Sequence, residues 1–389
     1  MAKTLAFAFS LGADQAPILP GDRQWLAPLP VSRHAFGSRR ESAAFDKTVT
    51  YGDYFSAVRH FLEQEDFVLL NHALGHVSGG TLSVRRLDGL AVYLVKHGAY
   101  YHPARIAVKT GRRQFSFVLN VAVSRQGQEI MVREVCCLQR LTDELEEPFW
   151  PRVFGHGQGE TCDGRRLPMF LGDWIEDFYE FHLTAGGKST ATEVVVWDTD
   201  NGPRHLSAGQ MRRVLHRAAL ILAYAYHPLT FEAVRSWHHA AGDFVVRLLD
   251  DDLDLRLIAV RDYSPLIERP DPDITAVLEA LPVMLVATSM RLRLDRLDGT
   301  GPLAVYPDSV VPTIWNGFRL GLQRGFAQRG LPDDLFAAAV EYISLFSAEK
   351  LAGIAADLVD RHSGNAAERD LLRRISRDHA RRLFAAIAA

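Results

Sequence analysis

The sequence predicts an α+β chain, a small antiparallel sheet followed by a mostly helical body. Three observations carry that reading. Between positions 90 and 123, three runs rich in apolar and β-branched residues, LAVYLVK (90–96), ARIAVKT (104–110) and FSFVLNVAV (115–123), are separated by a loop and a turn, as strands bounded by turn residues are. A helical period takes over at 126–142, with Ile130, Val135, Leu138 and Leu141 near one face. From Asp273 onward the chain reads as helices separated by turns containing Pro and Gly.

Taken in order, the first 50 residues or so are rich in Pro and Gly and read as an extended arm or an irregular packing segment. Residues 54–64 set Tyr54, Phe55, Val58, Phe61 and Leu62 at helical spacing. Residues 67–86 read as a small strand-rich element around Gly79-Gly80. After the three strands and their helix come extended pieces at 149–156 and 167–171, a helix at 174–183 and a strand at 193–197. Ser207 is the N-cap of a helix over 207–227, whose apolar stripe is Met211, Val214, Leu215, Ala218, Leu222 and Ala225. A loop at 236–243 leads to strands at 244–249 and 255–260, joined by the acidic turn 250–254, which reads as solvated. Near the C-terminus, Leu372, Ile375, His379 and Leu383 oppose Arg373, Arg374, Arg377, Arg381 and Arg382, an amphipathic helix with its charges in water.

Composition excludes several classes of function. The chain has 389 residues, 48% of them hydrophobic and 23% charged, with a formal net charge of −3. That is too apolar for disorder and lacks the basic footprint of a nucleic-acid binder. The apolar stretches at 218–226 and 281–290 fall short of the roughly 20 residues that span a bilayer. The segment after Lys3 does not read as a secretion signal. Cys136, Cys137 and Cys162 have no metal-ligand spacing and read as small core residues. The expected setting is cytoplasmic, and the expected partner is a small-molecule substrate or a protein, not nucleic acid or membrane. The 15 histidines are unusual. Several fall in two loops, KHGAYYHP (96–103) and WHHAAGD (237–243).

Three strands, a helix carrying Glu134, a long helix, a loop ending at Asp243, a hairpin and then Asp262 follow one another over roughly 90–265. This order resembles the protein-kinase-like superfamily, particularly its small-molecule branch of aminoglycoside and choline kinases. The resemblance implies a two-lobed fold, with 1–88 as an N-terminal extension, 89–172 as the small-sheet N-lobe and 173–389 as the helical C-lobe. It implies a phosphotransferase acting on a small-molecule hydroxyl, with ATP and Mg²⁺ as cofactors. Gly98 occupies the place of the glycine-rich loop over the phosphates, one glycine where the family has two or three. Asn120 falls where the third strand carries a lysine; it has no charge, whereas phosphoryl transfer rests on charge neutralisation. Lys96 or Lys109 is a substitute. Glu134 takes the place of the glutamate that orients that lysine. Asp243 and Asp262 are the implied Mg²⁺ ligands, since hard carboxylate oxygens suit that ion.

The catalytic segment aligns in two ways. Asp243 is either the catalytic Asp, with Asp262 19 positions on (262 − 243), or the replacement for the metal-binding Asn, with His238 in place of the catalytic Asp. His238 or His239 would then orient or deprotonate the acceptor hydroxyl. Asn120 and the absent catalytic-loop Asn point to an alternative, a pseudokinase kept for binding or regulation. WHHAAGD has a further reading, because HH-x-x-x-D is similar to the motif of chloramphenicol-acetyltransferase-like acyltransferases. There His239 would be the base and Asp243 structural. A buried turn in which Trp237 packs and the histidines bond backbone carbonyls also fits the residues.

Overall fold

The computed structural model describes residues 5–30, 48–98, 100–186, 192–239, 242–250, 252–268, 273–361 and 366–389. The chain forms two compact units, Met1–Gln139 with Pro151–Ile175, and Arg140–Trp150 with Glu176–Ala389.

The first unit holds β1 (Phe7–Ser10), α1 (Tyr51–Ser78), β2 (Gly89–Leu94), β3 (Ala104–Thr110), β4 (Arg113–Val121), most of α2 (Arg125–Glu144), β5 (Val153–Glu160) and β6 (Arg166–Asp173). Its sheet runs β1-β2-β3-β4-β6-β5. All pairs are antiparallel except β1 with β2, which is parallel with Phe7 opposite Leu90. The residues that alternate inward, including Leu90, Val92, Ile106, Val108, Phe117, Leu119, Leu167 and Met169, pack with Tyr54, Phe55, Val58, Phe61 and Leu62 of α1. A capping box between Thr50 and Asp53 starts α1. The helix is interrupted at Gln64–Phe67, where Glu65, Asp66 and Phe67 take positive φ, and it stops at the left-handed Gly79.

Within the expected 1–88 extension, β1 and α1 belong to the sheet and core of this unit. The segment 67–86 is not strand-rich. Gly79-Gly80 ends a helix. The helix sits directly on β5 through glycines spaced by two. A Cβ at Gly159 would lie 2.0 Å from the Ala57 carbonyl oxygen, and one at Gly157 would lie 3.1 Å from the Phe61 ring.

The second unit contains β7 (Tyr179–Ala185), β8 (Thr192–Val196), β9 (Arg204–Leu206), α3 (Ala208–Ala225), β10 (Glu232–Val234), β11 (Phe244–Leu248), β12 (Leu253–Leu257), β13 (Tyr263–Pro265), α4 (Ile274–Arg291), β14 (Leu294–Arg296), β15 (Leu303–Val305), α5 (Val311–Gln328), α6 (Asp333–Ser344), α7 (Ala348–Asp360) and α8 (Ala366–Ile387). Its antiparallel sheet runs β12-β11-β7-β8-β9, with separate ribbons β10-β13 and β14-β15. The helix expected at 174–183 is absent; a turn at 176–177 leads into strand β7, paired with β8 and β11. Ser207 caps α3 as expected, with Gln210 completing the box. α4 is long and apolar enough to cross a membrane, yet 61% of that window is buried inside the fold.

The chain is thus α+β. Three strands and a helix follow one another as expected, but five strands, β5–β9, then intervene before the long helix α3, the loop and the β11–β12 hairpin. The cysteines correct the sequence expectation, because Cys136 and Cys162 are exposed and Cys137 is half-buried.

Two devices hold the helical unit. Gly317, Gly321 and Gly325 of α5 face the carbonyl oxygens of His216, Leu220 and Tyr224 on α3, where a Cβ would lie 2.1, 2.2 and 2.7 Å away. The second device docks α8. His379, fully buried, lies 2.9 Å from Ser289 Oγ through Nε2 and 3.4 Å from Arg293 Nη1 through Nδ1. Arg293 Nη2 donates to Asp308 at 2.6 Å. A neutral imidazole satisfies both contacts, with Nδ1 accepting from the guanidinium and Nε2–H donating to the hydroxyl. Burial and the Arg293 charge push the His379 pKa down to about 3.

Gly321→Ala is expected to destabilise by about 1–3 kcal/mol through overpacking. Gly353→Ala, on α7 with nothing within 4 Å of its Cβ position, should be neutral or stabilise by roughly 0.5–1 kcal/mol; denaturant midpoints compare the two. The contribution of His379 is present above its ordinary pKa of 6.5 and is lost as pH falls from there toward about 3. Urea titrations from pH 7 to pH 4 should show the stability of His379→Gln falling less steeply than that of the native chain.

Candidate functional site

In the first unit, loop 97–102 is tied down at several points. Gly98 N–H donates to the Tyr101 carbonyl at 3.0 Å, and His102 N–H to that of Val121 at 2.9 Å. A Cβ on Gly98 would lie 2.9 Å from the Tyr101 oxygen. The Tyr101 hydroxyl donates to Glu134 Oε2 at 2.7 Å, and Glu134 is buried. Two expected cofactor residues, Gly98 and Glu134, are thus joined through Tyr101. Lys96 is exposed at the loop's start. Asn120 is half-buried on β4, opposite Phe170 of β6. Tyr101 was missed as the link; its place in the tyrosine pair of the loop was the only sequence signal.

In the second unit, α3 leads through β10 into the histidine loop. β10 pairs with β13, Val234 opposite Tyr263, which brings residues 261 and 262 beside the loop. Asp243 is buried, and both its oxygens are engaged. Arg261 forks onto it, Nη1 to Oδ2 at 2.9 Å and Nη2 to Oδ1 at 2.7 Å, and the His238 N–H donates to Oδ2 at 2.9 Å. Asp262 is half-buried and accepts from Ser236 Oγ at 3.5 Å.

His238 reaches solvent, but desolvation and the Arg291 guanidinium, 3.0 Å from Nε2, push its pKa down. Arg291 also donates to the Trp237 carbonyl and lies over the Trp237 ring. His239 is buried among Phe181, Trp237, Phe244 and Tyr306. Its Nε2 lies 3.2 Å from the Leu292 carbonyl oxygen, and burial lowers its pKa, so it is a neutral donor there. Its packing is that of the buried-turn alternative.

Beneath this loop lies a charged constellation. His182, almost fully buried, sits 3.7 Å from Glu180 and 3.6 Å from Asp295. Asp295 also accepts from the Leu183 N–H at 2.9 Å, the Arg296 N–H at 2.7 Å and the Tyr306 hydroxyl at 3.4 Å. Burial alone would lower the His182 pKa, but the two carboxylates overcome it and raise it to about 9. Glycine is required twice here. Gly242, at φ +65°, turns against Glu180, where a Cβ would lie 2.4 Å from Cδ, and Gly299, at φ +71°, lies against the His182 ring.

Asp254, in the acidic turn, pairs with Arg256 at 2.9 Å and Arg247 at 3.5 Å, so that part of the turn is not simply solvated; Asp251 lies outside the described residues. Among the described residues, no three His, Cys, Asp or Glu side chains are grouped so as to hold a metal ion.

No family model matches this chain, and no curated protein matches it closely enough to name. Among solved structures, a protein described as an apo pseudokinase is similar at 11% identity and a TM-score of 0.27, over 63% of this chain and 89% of that one.

The His182 imidazolium stabilises the fold fully below pH 6.5, and that contribution is lost as pH rises through about 9. Chemical denaturation from pH 6 to pH 10 should show the native midpoint falling across this window. His182→Gln should start lower at pH 7 and stay flat.

Proposed function

We propose that this chain is a kinase-like module that has given up phosphoryl transfer and serves a binding or regulatory role. The observation that carries the reading is the fork of Arg261 onto Asp243. A Mg²⁺ ion takes carboxylate oxygens, and both oxygens of this buried group are already held by a guanidinium in bidentate geometry. A metal ion would have to displace the guanidinium from a buried carboxylate, a costly step. Asn120, uncharged on the third of the implied N-lobe strands, supports the same reading.

The acyltransferase alternative finds less support. His239 is enclosed by aromatic rings, and the two units have different topologies, not the paired half-domains of that family. Phosphotransfer is the second reading, favoured by Asp262, whose carboxylate has a long hydrogen bond from Ser236 and no closer one among the described residues.

Calorimetry with Mg²⁺–ATP and a radiolabelled γ-phosphate assay on the full chain separate the two. The expected result is no Mg²⁺-dependent turnover. Turnover that disappears in Asp262→Ala would reverse the reading. Arg261→Ala is expected to destabilise by about 3–5 kcal/mol by leaving Asp243 unpaired, read as a lowered thermal midpoint. Arg261→Lys should recover only part, since an ammonium cannot reproduce the fork.

A further inference from the structure

The histidines of loop 97–102 are not used by the function proposed above, and their geometry is unusual. His97 Nδ1 and His102 Nδ1 face each other at 3.0 Å. A neutral imidazole carries one proton, so one Nδ1–H donates to the other Nδ1, and moving that hydrogen away leaves two Nδ1 lone pairs 3.0 Å apart. Both rings are held in place. The His102 backbone is pinned by its N–H to Val121 and by the Tyr54 hydroxyl, which donates to its carbonyl at 2.8 Å. His97 is oriented by Tyr51, whose hydroxyl lies 3.3 Å from Nε2. His102 is buried, while His97 is exposed, so an ion has both a fixed floor and a way in.

We infer that His97 and His102 form a two-histidine clip for a divalent d-block cation, with Cu²⁺ the best fit. Metal–imidazole bonds run about 2.0–2.1 Å. Two such bonds ending on atoms 3.0 Å apart meet at about 94°, close to the right angle of tetragonal Cu²⁺ and below the tetrahedral angle of Zn²⁺. The order of divalent affinities favours Cu²⁺ as well. No third His, Cys, Asp or Glu completes the set among the described residues, so water fills the remaining positions.

Coordination needs no net loss of a proton. The ring that carries hydrogen on Nδ1 shifts it to Nε2, leaving both Nδ1 lone pairs on the ion. His97 Nε2–H then donates to the Tyr51 oxygen, the outer partner that metal-bound imidazoles ordinarily have. The ion would bridge His97 and His102, with Tyr51 at the start of α1 as the positioning residue.

The test is titration of the full-length chain with Cu²⁺ alone, followed by calorimetry and by the electron paramagnetic resonance signal of nitrogen-ligated copper. One equivalent with nitrogen hyperfine structure is expected. His97→Gln, an exposed substitution that should keep the fold by circular dichroism, should weaken binding at least tenfold and remove that signature. His102→Gln should do the same, and Tyr51→Phe should weaken binding less. The competing pair is His72 and His76, which are exposed four residues apart on α1. Binding unchanged in His97→Gln, or lost in His72→Gln instead, would overturn the assignment, as would the absence of any bound equivalent.

Discussion

Each unit depends on a helix laid against bare backbone. In the helical unit, the three glycines of α5 let α3 approach until its carbonyls meet α5 without an intervening side chain. That contact fixes where α3 ends. Its last carbonyls, Tyr224 and Ala225, receive Arg329, and Ala225 also receives the Tyr263 hydroxyl at 2.7 Å. Tyr263 begins β13, which pairs with β10. Position 261 is thereby brought opposite Asp243, and the fork closes. A packing constraint between two helices thus decides which charge faces the carboxylate of the histidine loop. In the first unit the same device, glycines of β5 beneath α1, sets the helix on the sheet.

The carboxylates of the helical unit pair repeatedly with internal cations. Asp243 has Arg261, Asp295 has His182, and Glu232 is held by Arg140 through two bonds of 2.6 and 2.7 Å. Burying such pairs costs desolvation that their attraction only partly offsets, so their value lies in selecting one arrangement of loops. Each pair also resists an outside ion, which must compete with a cation that is already correctly placed. This is the physical content of reading the unit as a module for binding rather than for metal-assisted transfer.

What the sequence made legible follows the range of the interactions. β2, β3 and β4 announce themselves by local alternation, and Ser207 announces α3 because a cap acts within three residues. β1 was invisible because its partner, β2, lies some 80 positions away and pairs in parallel. The second half of α1 was misread because Glu65, Asp66 and Phe67 leave the helical region and break the period, while Gly75, Gly79 and Gly80 look like strand punctuation. β7 was read as helix because Phe181, His182 and Leu183 are all buried, which erases the period of two. At the site, Asp243 stood out by its loop. Arg261 did not, because its role exists only once β10 and β13 are in register.

The histidine excess shows the same limit from the side of chemistry. His182 is a cation because two carboxylates face it. His379 is neutral because a guanidinium and a hydroxyl face it, and His239 is neutral because four aromatic rings enclose it. The residue type is identical in all three. What differs is the partner at the ring nitrogens, and Asp295, Arg293 and the Leu292 carbonyl lie between 53 and 113 positions away in the chain. A histidine-rich loop therefore marks where chemistry is available, and the tertiary partners decide which chemistry it becomes.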